Sequence, residues 1–389
     1  MDFRLTDEQQ AARDLAREFA EREIVPVAAE LDQQHAFPRE VIAKAQQAGL
    51  TSLTIPEEFG GAGASLTTLA LASEQFGWGC AGIATSLGIN TLTADPIIIA
   101  GSHEQKREYL GRMTEGALGA YALTEPAAGS DVAALTTRAR RVGDDYVLNG
   151  SKIWISNAPH AEFFVVFATT DPAAGRNGIS AFVIERDTPG VDVGNPLPKL
   201  GQRASHASEI FFNDVVVPSG NRLGNEGDGF LIAMGVFDRS RPMISAISVG
   251  VIQRCLDESL GYATERVTMG QPIIRHQSVG NKIAEMGMRA EAARLLTYQA
   301  ASLYDAGERN TLAASYAKAF AADSAMWAAN EAVQIFGGNG YSEEFPVAKL
   351  FRDAKLLQIY EGTSEIQRVI MVREIARSRQ GGTARTGRS

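Results

Sequence analysis

The chain has 389 residues, long enough for two or three structural units with sizeable cores. Hydrophobic residues make up 45% and charged residues 21%, an ordinary globular balance, and a net charge of −9 without a basic run argues against nucleic acid as the main ligand. Its two cysteines, Cys80 and Cys255, stand far apart and form no CxxC, which argues against a disulfide framework and suits a reducing cytoplasm.

The N-terminus, "MDFRLTDEQQ", is charged from its second residue and does not read as a secretory signal. Thr6 followed by Gln9 is a capping-box pattern. Ala12, Leu15, Ala16 and Phe19 then fall at helical spacing, and Pro26 is expected to end the run. A Gly-rich loop, "EEFGGAGAS", leads to more helical sequence over 65–117. Apolar stretches are broken by Gly or charge short of ~18 residues, so no membrane span is expected. "GWGCAG" at 77–82 matches GxGxxG in letters only, because it follows the helical run "LASEQF" where a dinucleotide loop needs a strand.

Near residue 119 the texture changes. "DDYVLNGSKIWIS" alternates around Asn149-Gly150, the strongest short hairpin signal, and a hairpin is expected there. "EFFVVFATT", "GISAFVIERD" and "EIFFNDVVVP" follow, rich in β-branched and aromatic residues between turn formers. Helices return at 229–264, 276–306 and 310–337 and at the C-terminus, with apolar stripes such as Ala313, Ala317 and Phe320 that suit a bundle. The tail "QGGTARTGRS" lacks apolar residues and is expected to be disordered. The fold class is therefore α+β: an N-terminal helical domain (1–118), a middle antiparallel β-domain (119–226) and a C-terminal helical bundle domain (227–389).

The five histidines (His35, His103, His160, His206, His276) show no HExxH or other ligand spacing, and neither GxSxG nor Walker A occurs. Attention falls instead on "QIYEGTSEIQR" at 358–368. Leu356, Leu357, Ile359 and Tyr360 read as buried, Gly362 permits a turn, and Thr363 or Ser364 can cap a helix through Ile366, Val369, Ile370 and Val372. Glu361 stands at the mouth of that turn. It is either a solvated loop charge or a base whose pKa is raised by apolar neighbours.

Several blocks decide between these readings. "YALTEPAAGSDV" at 121–132, "NGSKIWISN" at 149–157, "ERVTMGQPIIRHQ" at 265–277, "QIFGGNGY" at 334–341 and "RDAKLLQIYEGTSEIQR" at 352–368 together resemble the acyl-CoA dehydrogenases, in order over roughly residues 3–377. Within that family the resemblance is nearest to the medium-chain and other straight-chain members, through "AMGVFDRSRP" and "PIIIAG".

The resemblance implies a C-terminal four-helix domain, a homotetramer, non-covalent FAD, and α,β-dehydrogenation of an acyl-CoA thioester to the trans-2-enoyl-CoA, as in β-oxidation. Electrons would pass to an electron-transferring flavoprotein. Glu361 matches the family's catalytic base; the position where some relatives carry the base instead is Ser240, which cannot serve. Tyr121, Thr124 and Ser130 match the strand and loop beside flavin and ligand. Trp154 and Ser156 would lie against the isoalloxazine. Arg266 and Gln277 resemble the pair that reaches FAD pyrophosphate across a subunit boundary, with Met269 where Phe is usual. Gln334 and Gly338 would hold the adenine side, and Thr363 and Glu365 would touch FAD beyond the base. On the substrate side stand Ser130, Asp238, Arg241, Tyr360 and Gly362. Ala84 and Gly88, small where the medium-chain enzyme is larger, would line the far end of the acyl pocket and leave it deeper or wider. Ala127 replaces a usual Gly in the "TEP" loop. A branched short-chain or cyclic acyl-CoA dehydrogenase is the alternative, and a flavin oxidase or monooxygenase on the same fold a more distant one. The latter typically lacks this Glu.

Overall fold

The computed structural model describes residues 4–383, with side chains as far as Ser378. Thr6 caps α1 (Asp7–Phe19) by a reciprocal box with Gln9. Pro26 does not end the run. The chain passes through a π-helical turn, Ala20–Ile24, and continues as α2 (Val25–Gln34), with Pro26 in its first turn where a missing N–H matters least. α3 (Arg39–Gln47) and the Gly-rich loop lead to α4 (Leu66–Gly79), capped by Ser65, and α5 (Ala81–Ala100). Short helices α6 (His103–Gln105) and α7 (Gly111–Thr114) close this region.

The glycine of "GWGCAG" serves packing. A Cβ on Gly77 would lie 2.4 Å from the Ile247 carbonyl oxygen of α8 (Gly229–Glu265), and one on Gly250 of α8 would lie 2.1 Å from that of Glu74. The two helices thus touch backbone to backbone. Despite Gly88 and Asp95, α5 is long and apolar enough to pass as a membrane span, the only such helix among the described residues. Two-thirds of it, 67%, is buried inside the protein, as in a core helix.

The strands are β1 (Gly119–Ala122), β2 (Arg138–Val142), β3 (Asp145–Ser156), β4 (Phe163–Thr169), β5 (Ile179–Glu185), β6 (Val191–Val193), β7 (Ala207–Pro218) and β8 (Arg222–Leu223). Their order is β6-β7-β3-β2-β4-β5-β8, with β1 beside β4. The sheet is mixed rather than wholly antiparallel, because β1 runs parallel to β4 along its length and β2 meets β4 in a single parallel pair. Every residue of β4 is buried. Phe163, Val165 and Phe167 face α5 and α8, while Phe164, Val166 and Ala168 face the other core with Tyr146 and Phe182.

The expected hairpin at Asn149-Gly150 is absent. β3 runs straight through it, and the turn lies at Gly143-Asp144, where Val142 pairs with Asp145. Opposite Asn149, β7 bulges at Asn213-Asp214, with Asp214 at φ +50°. Asn149 exchanges hydrogen bonds with Asp214; Gly150 has φ +146°, and a Cβ there would strike Thr137.

After α8 come a two-strand ribbon, β9 (Val267–Thr268) and β10 (Gln271–Pro272), then α9 (Gln277–Asp305), α10 (Thr311–Phe336), α11 (Pro346–Leu357) and α12 (Ser364–Thr383). α12 carries the chain as a helix through the first residues of the tail expected to be disordered; 384–389 lie outside the described residues.

Candidate active site

Glu361 sits between α11 and α12 in a left-handed conformation, φ +56°, followed by Gly362 at +86°. Two successive left-handed residues reverse the chain sharply, and only the second is a glycine. Side chains from neighbouring helices hold the turn. Gln367 Nε2 donates to the carbonyls of Glu361 and Gly362 at 3.1 and 3.0 Å, and Lys318 Nζ donates to that of Gly362 at 2.7 Å. Asp323 of α10 accepts from Gln358 and Ser364, one on each side of the turn, and pairs with Arg368. Thr363 is the cap of α12, its hydroxyl accepting from Ile366 N.

Ser240 Oγ donates to Glu361 Oε2 at 2.6 Å. Burial pushes the Glu361 carboxyl above its ordinary pKa, opposed by the Ser240 hydrogen bond and by the Arg241 and Lys318 charges. Tyr121, on β1, is buried beside Phe167 and Phe237 rather than at an open surface. Its pKa is pushed well up by burial and by Glu361, and its hydroxyl has no partner among the described residues. Arg241 Nε is likewise buried and unpartnered. Two unspent donors beside one perturbed carboxyl mark a polar ligand site.

Tyr360 OH lies 3.3 Å from Thr85 Oγ1 on α5, and Thr85 donates to buried Gln202 at 2.8 Å. Ile359, expected to be buried, is half exposed at 50%. Asp238 accepts from Thr311 Oγ1 at 2.8 Å and stands 3.7 Å from Arg241, so an ion pair is present but loose. Ala84 is buried, and a Cβ on Gly88 would meet the thioether end of Met243 at 3.1–3.2 Å. Gly362 contributes its conformation and its carbonyl. Ser130 is exposed on the loop after the Glu125–Ala128 bridge.

Trp154 is 54% exposed, with φ +61° in a bulge between Lys152 and Ile155. It and half-buried Ser156 flank Ile155, which is buried, so both turn away from the sheet core. Thr124 is half-buried, and its carbonyl accepts from Ile153 N at 3.0 Å, tying the segment after β1 to the strand of Trp154. A separate open cleft of about 710 Å³ is lined by Arg266, Met269 and Gly338, with Tyr262, His276 and Phe336. Gln277 and Gln334 are exposed, as is Glu365, and do not line it. Of the residues expected at FAD, two groups come together, an indole with hydroxyls on the β-domain and a cleft with a guanidinium and an open diglycine on the helices, while Gln277, Gln334, Thr363 and Glu365 belong to neither. An exposed aromatic face and a guanidinium in a cleft suit a flavin ring and a pyrophosphate respectively.

Sequence reasoning missed Lys318, Gln367 and Asp323, which hold the turn. The signal for Lys318 was legible: a lone lysine in register with Ala314, Ala321 and Ala325 on a buried helix face.

Sequence models of the acyl-CoA dehydrogenase N-terminal, middle and C-terminal domains match residues 6–117, 120–215 and 227–376. The chain is 44% identical to an acyl-CoA dehydrogenase of Bacillus subtilis (94% of this chain, 97% of that protein). It is 43% identical to the acryloyl-CoA reductase (NADH) of Anaerotignum propionicum (96% of each). Among solved structures it is similar to the butyryl-CoA dehydrogenase of Megasphaera elsdenii (TM-score 0.94, 41% identity, 97% and 100% covered). It also resembles a chain solved in work on the electron transferring flavoprotein of Acidaminococcus fermentans (TM-score 0.95, 41% identity, 96% and 99% covered). PigA, solved as its FAD complex, is similar too (TM-score 0.93, 33% identity, 97% and 99% covered).

Proposed function

This chain belongs to the acyl-CoA dehydrogenase family, an FAD-dependent oxidoreductase, and from that premise we propose that it converts a saturated acyl-CoA to the trans-2-enoyl-CoA with Glu361 as base. The observation that carries the reading is a carboxyl with a raised pKa, fixed on a left-handed turn and hydrogen-bonded by Ser240. Glu361 takes the α-proton as the substrate loses a hydride from its β-carbon. Bound FAD supplies the hydride acceptor. Trp154, Thr124 and Ser156 would hold its ring, and Arg266 with the Gly338 cleft its phosphate and adenine side, in an assembly that brings the two groups together.

Arg241 and Tyr121 keep buried donors beside the reacting region, where they orient the substrate without solvent competition. The electron acceptor is an electron-transferring flavoprotein, a reading supported by the likeness to the Acidaminococcus system. The assembly is a homotetramer, supported by exposed Val369, Val372 and Ile375 on α12 and by Met269 at the tip of the ribbon. The substrate is a straight-chain acyl-CoA of medium to long length.

Purified protein should be yellow and should bleach when acyl-CoA is added without oxygen. Glu361→Gln should keep flavin and thioester binding and slow bleaching by on the order of 10²–10⁴. A Gln variant that bleaches at the wild-type rate removes Glu361 from the role of base.

A further inference from the structure

Lys318 is fully buried in the middle of α10, a position lysine almost never takes without a partner. Among the described residues no carboxylate lies within ion-pair distance of it. Its hydrogen bond goes to a backbone carbonyl, that of Gly362, at 2.7 Å. That carbonyl also accepts from Gln367, so two side chains converge on the Gly362–Thr363 peptide, one residue past Glu361. Nothing in the packing of α10 needs an ammonium there: the neighbouring inward positions are Ala314, Ala321 and Ala325, all buried.

Resting on the reading of Glu361 as base, we infer that Lys318 is a positioning residue for the reaction: it pins the left-handed turn that aims the Glu361 carboxylate and keeps a positive charge beside it. The hydrogen bond fixes the peptide, and the charge favours the ionised, proton-accepting form of the base. Burial in turn depresses the Lys318 pKa to about 8, opposed by the Glu361 charge, so the pair is coupled.

Other groups face the pair from every side. Asp95 of α5 disfavours ionisation of Glu361, while Arg241 of α8 supports it, and Glu361 in turn keeps the Tyr121 hydroxyl of β1 protonated. Arg241 disfavours the Lys318 charge, while Asp323 and Glu365 favour it. Tyr360, in the turn itself, also feels Glu361. Of the two cations, Arg241 stays protonated throughout the working range, so Lys318 is the one whose charge changes there.

The test is the pH profile of anaerobic flavin bleaching in the FAD-loaded enzyme. Lys318→Met keeps volume and removes charge. Its acid limb should move up by about 1 pH unit, and its plateau rate should fall on the order of 10–100-fold. Lys318→Arg should restore the acid limb and abolish the alkaline limb near pH 8 expected of wild type. Gln367→Met loosens the same peptide without altering charge, and should slow bleaching with the acid limb unmoved.

A Lys318→Met profile that overlays wild type overturns the inference. So does one that loses thermal stability and flavin while the acid limb stays put, since that is packing alone. Should Lys318→Met fail to accumulate, the wild-type and Lys318→Arg profiles decide: alkaline limbs that coincide overturn it. Failure of the underlying reading looks different, because Glu361→Gln would then bleach at the wild-type rate.

Discussion

Ser240 donates its hydroxyl hydrogen to Oε2 of Glu361 across 2.6 Å, joining the middle of α8 to the turn before α12. The bond stabilises the ionised carboxylate and works against the burial that raises its pKa. A hydrogen bond to a charged group contributes about 1.5–3 kcal/mol, and about 1.4 kcal/mol corresponds to one pKa unit. Ser240→Ala should therefore move the acid limb of kcat/KM upward by about one pH unit. Activity on the acid side of the limb should fall about 10-fold, with little change well above it. An unchanged pH profile would separate Ser240 from the base.

The same shift has a consequence for stability. A carboxyl whose folded pKa exceeds its unfolded value favours the folded state fully below the unfolded pKa, and loses that advantage as pH rises through the folded one. Above the unfolded carboxylate pKa, Glu361 is thus a destabilising group. Glu361→Gln should melt higher than wild type at pH 7, with the gap closing toward pH 4. Thermal scans at the two pH values check this.

Lys152 and Glu125 form an ion pair that is almost wholly buried, at 2.6 Å. Burial alone would raise the Glu125 pKa, but Lys152, Thr137 and Thr136 hold it at about 2; burial lowers Lys152 to about 8. Lys152 Nζ also donates to the Leu123 carbonyl, so the pair fixes the segment carrying Thr124. Lys152→Met should leave Glu125 buried and unpaired, at a cost of about 3–5 kcal/mol in unfolding free energy. Lys152→Met with Glu125→Leu should recover much of it. Denaturant titration of both variants measures the difference.

Arg266 lines the 710 Å³ cleft with an exposed guanidinium. If it meets a pyrophosphate at a junction between copies, Arg266→Ala loses a charge-assisted contact and a subunit contact together. The variant should purify with sub-stoichiometric FAD and dissociate more readily on gel filtration. Full flavin occupancy with unchanged assembly would sink the cross-subunit role.

Much of this arrangement was legible in the sequence because its signals are local. The Thr6 box, the long helices and the Gly362 turn each depend on a few adjacent residues. What escaped depends on partners distant in sequence. Asn149-Gly150 has the chemistry of a tight turn, yet β3 continues through it opposite a bulge in β7, and Gly143-Asp144 makes the turn instead. Ile359 and Val369 are apolar and exposed, which no period within the chain explains. Lys318 lies 43 residues from Glu361, and only the packing of α10 against α12 brings them together.

Gly88 and Met243 carry the last prediction. Ala84 and Gly88 share one face of α5, and two small residues there would deepen an acyl pocket. Met243 of α8 already reaches into that space, its Sδ 3.2 Å from where a Gly88 Cβ would stand. A thioether on an unbranched side chain can move aside, so Gly88→Ala should be tolerated with little change in chain-length preference. Met243→Ala removes the plug and should extend the preference to longer acyl chains. Gly88→Glu places volume and an unpaired charge in an apolar site and should shift it to shorter ones. A panel of straight-chain acyl-CoAs with a dye acceptor reads all three. If the profiles of Met243→Ala and Gly88→Glu both overlay wild type, this face does not line the pocket, and the size reading drawn from Ala84 and Gly88 fails with it.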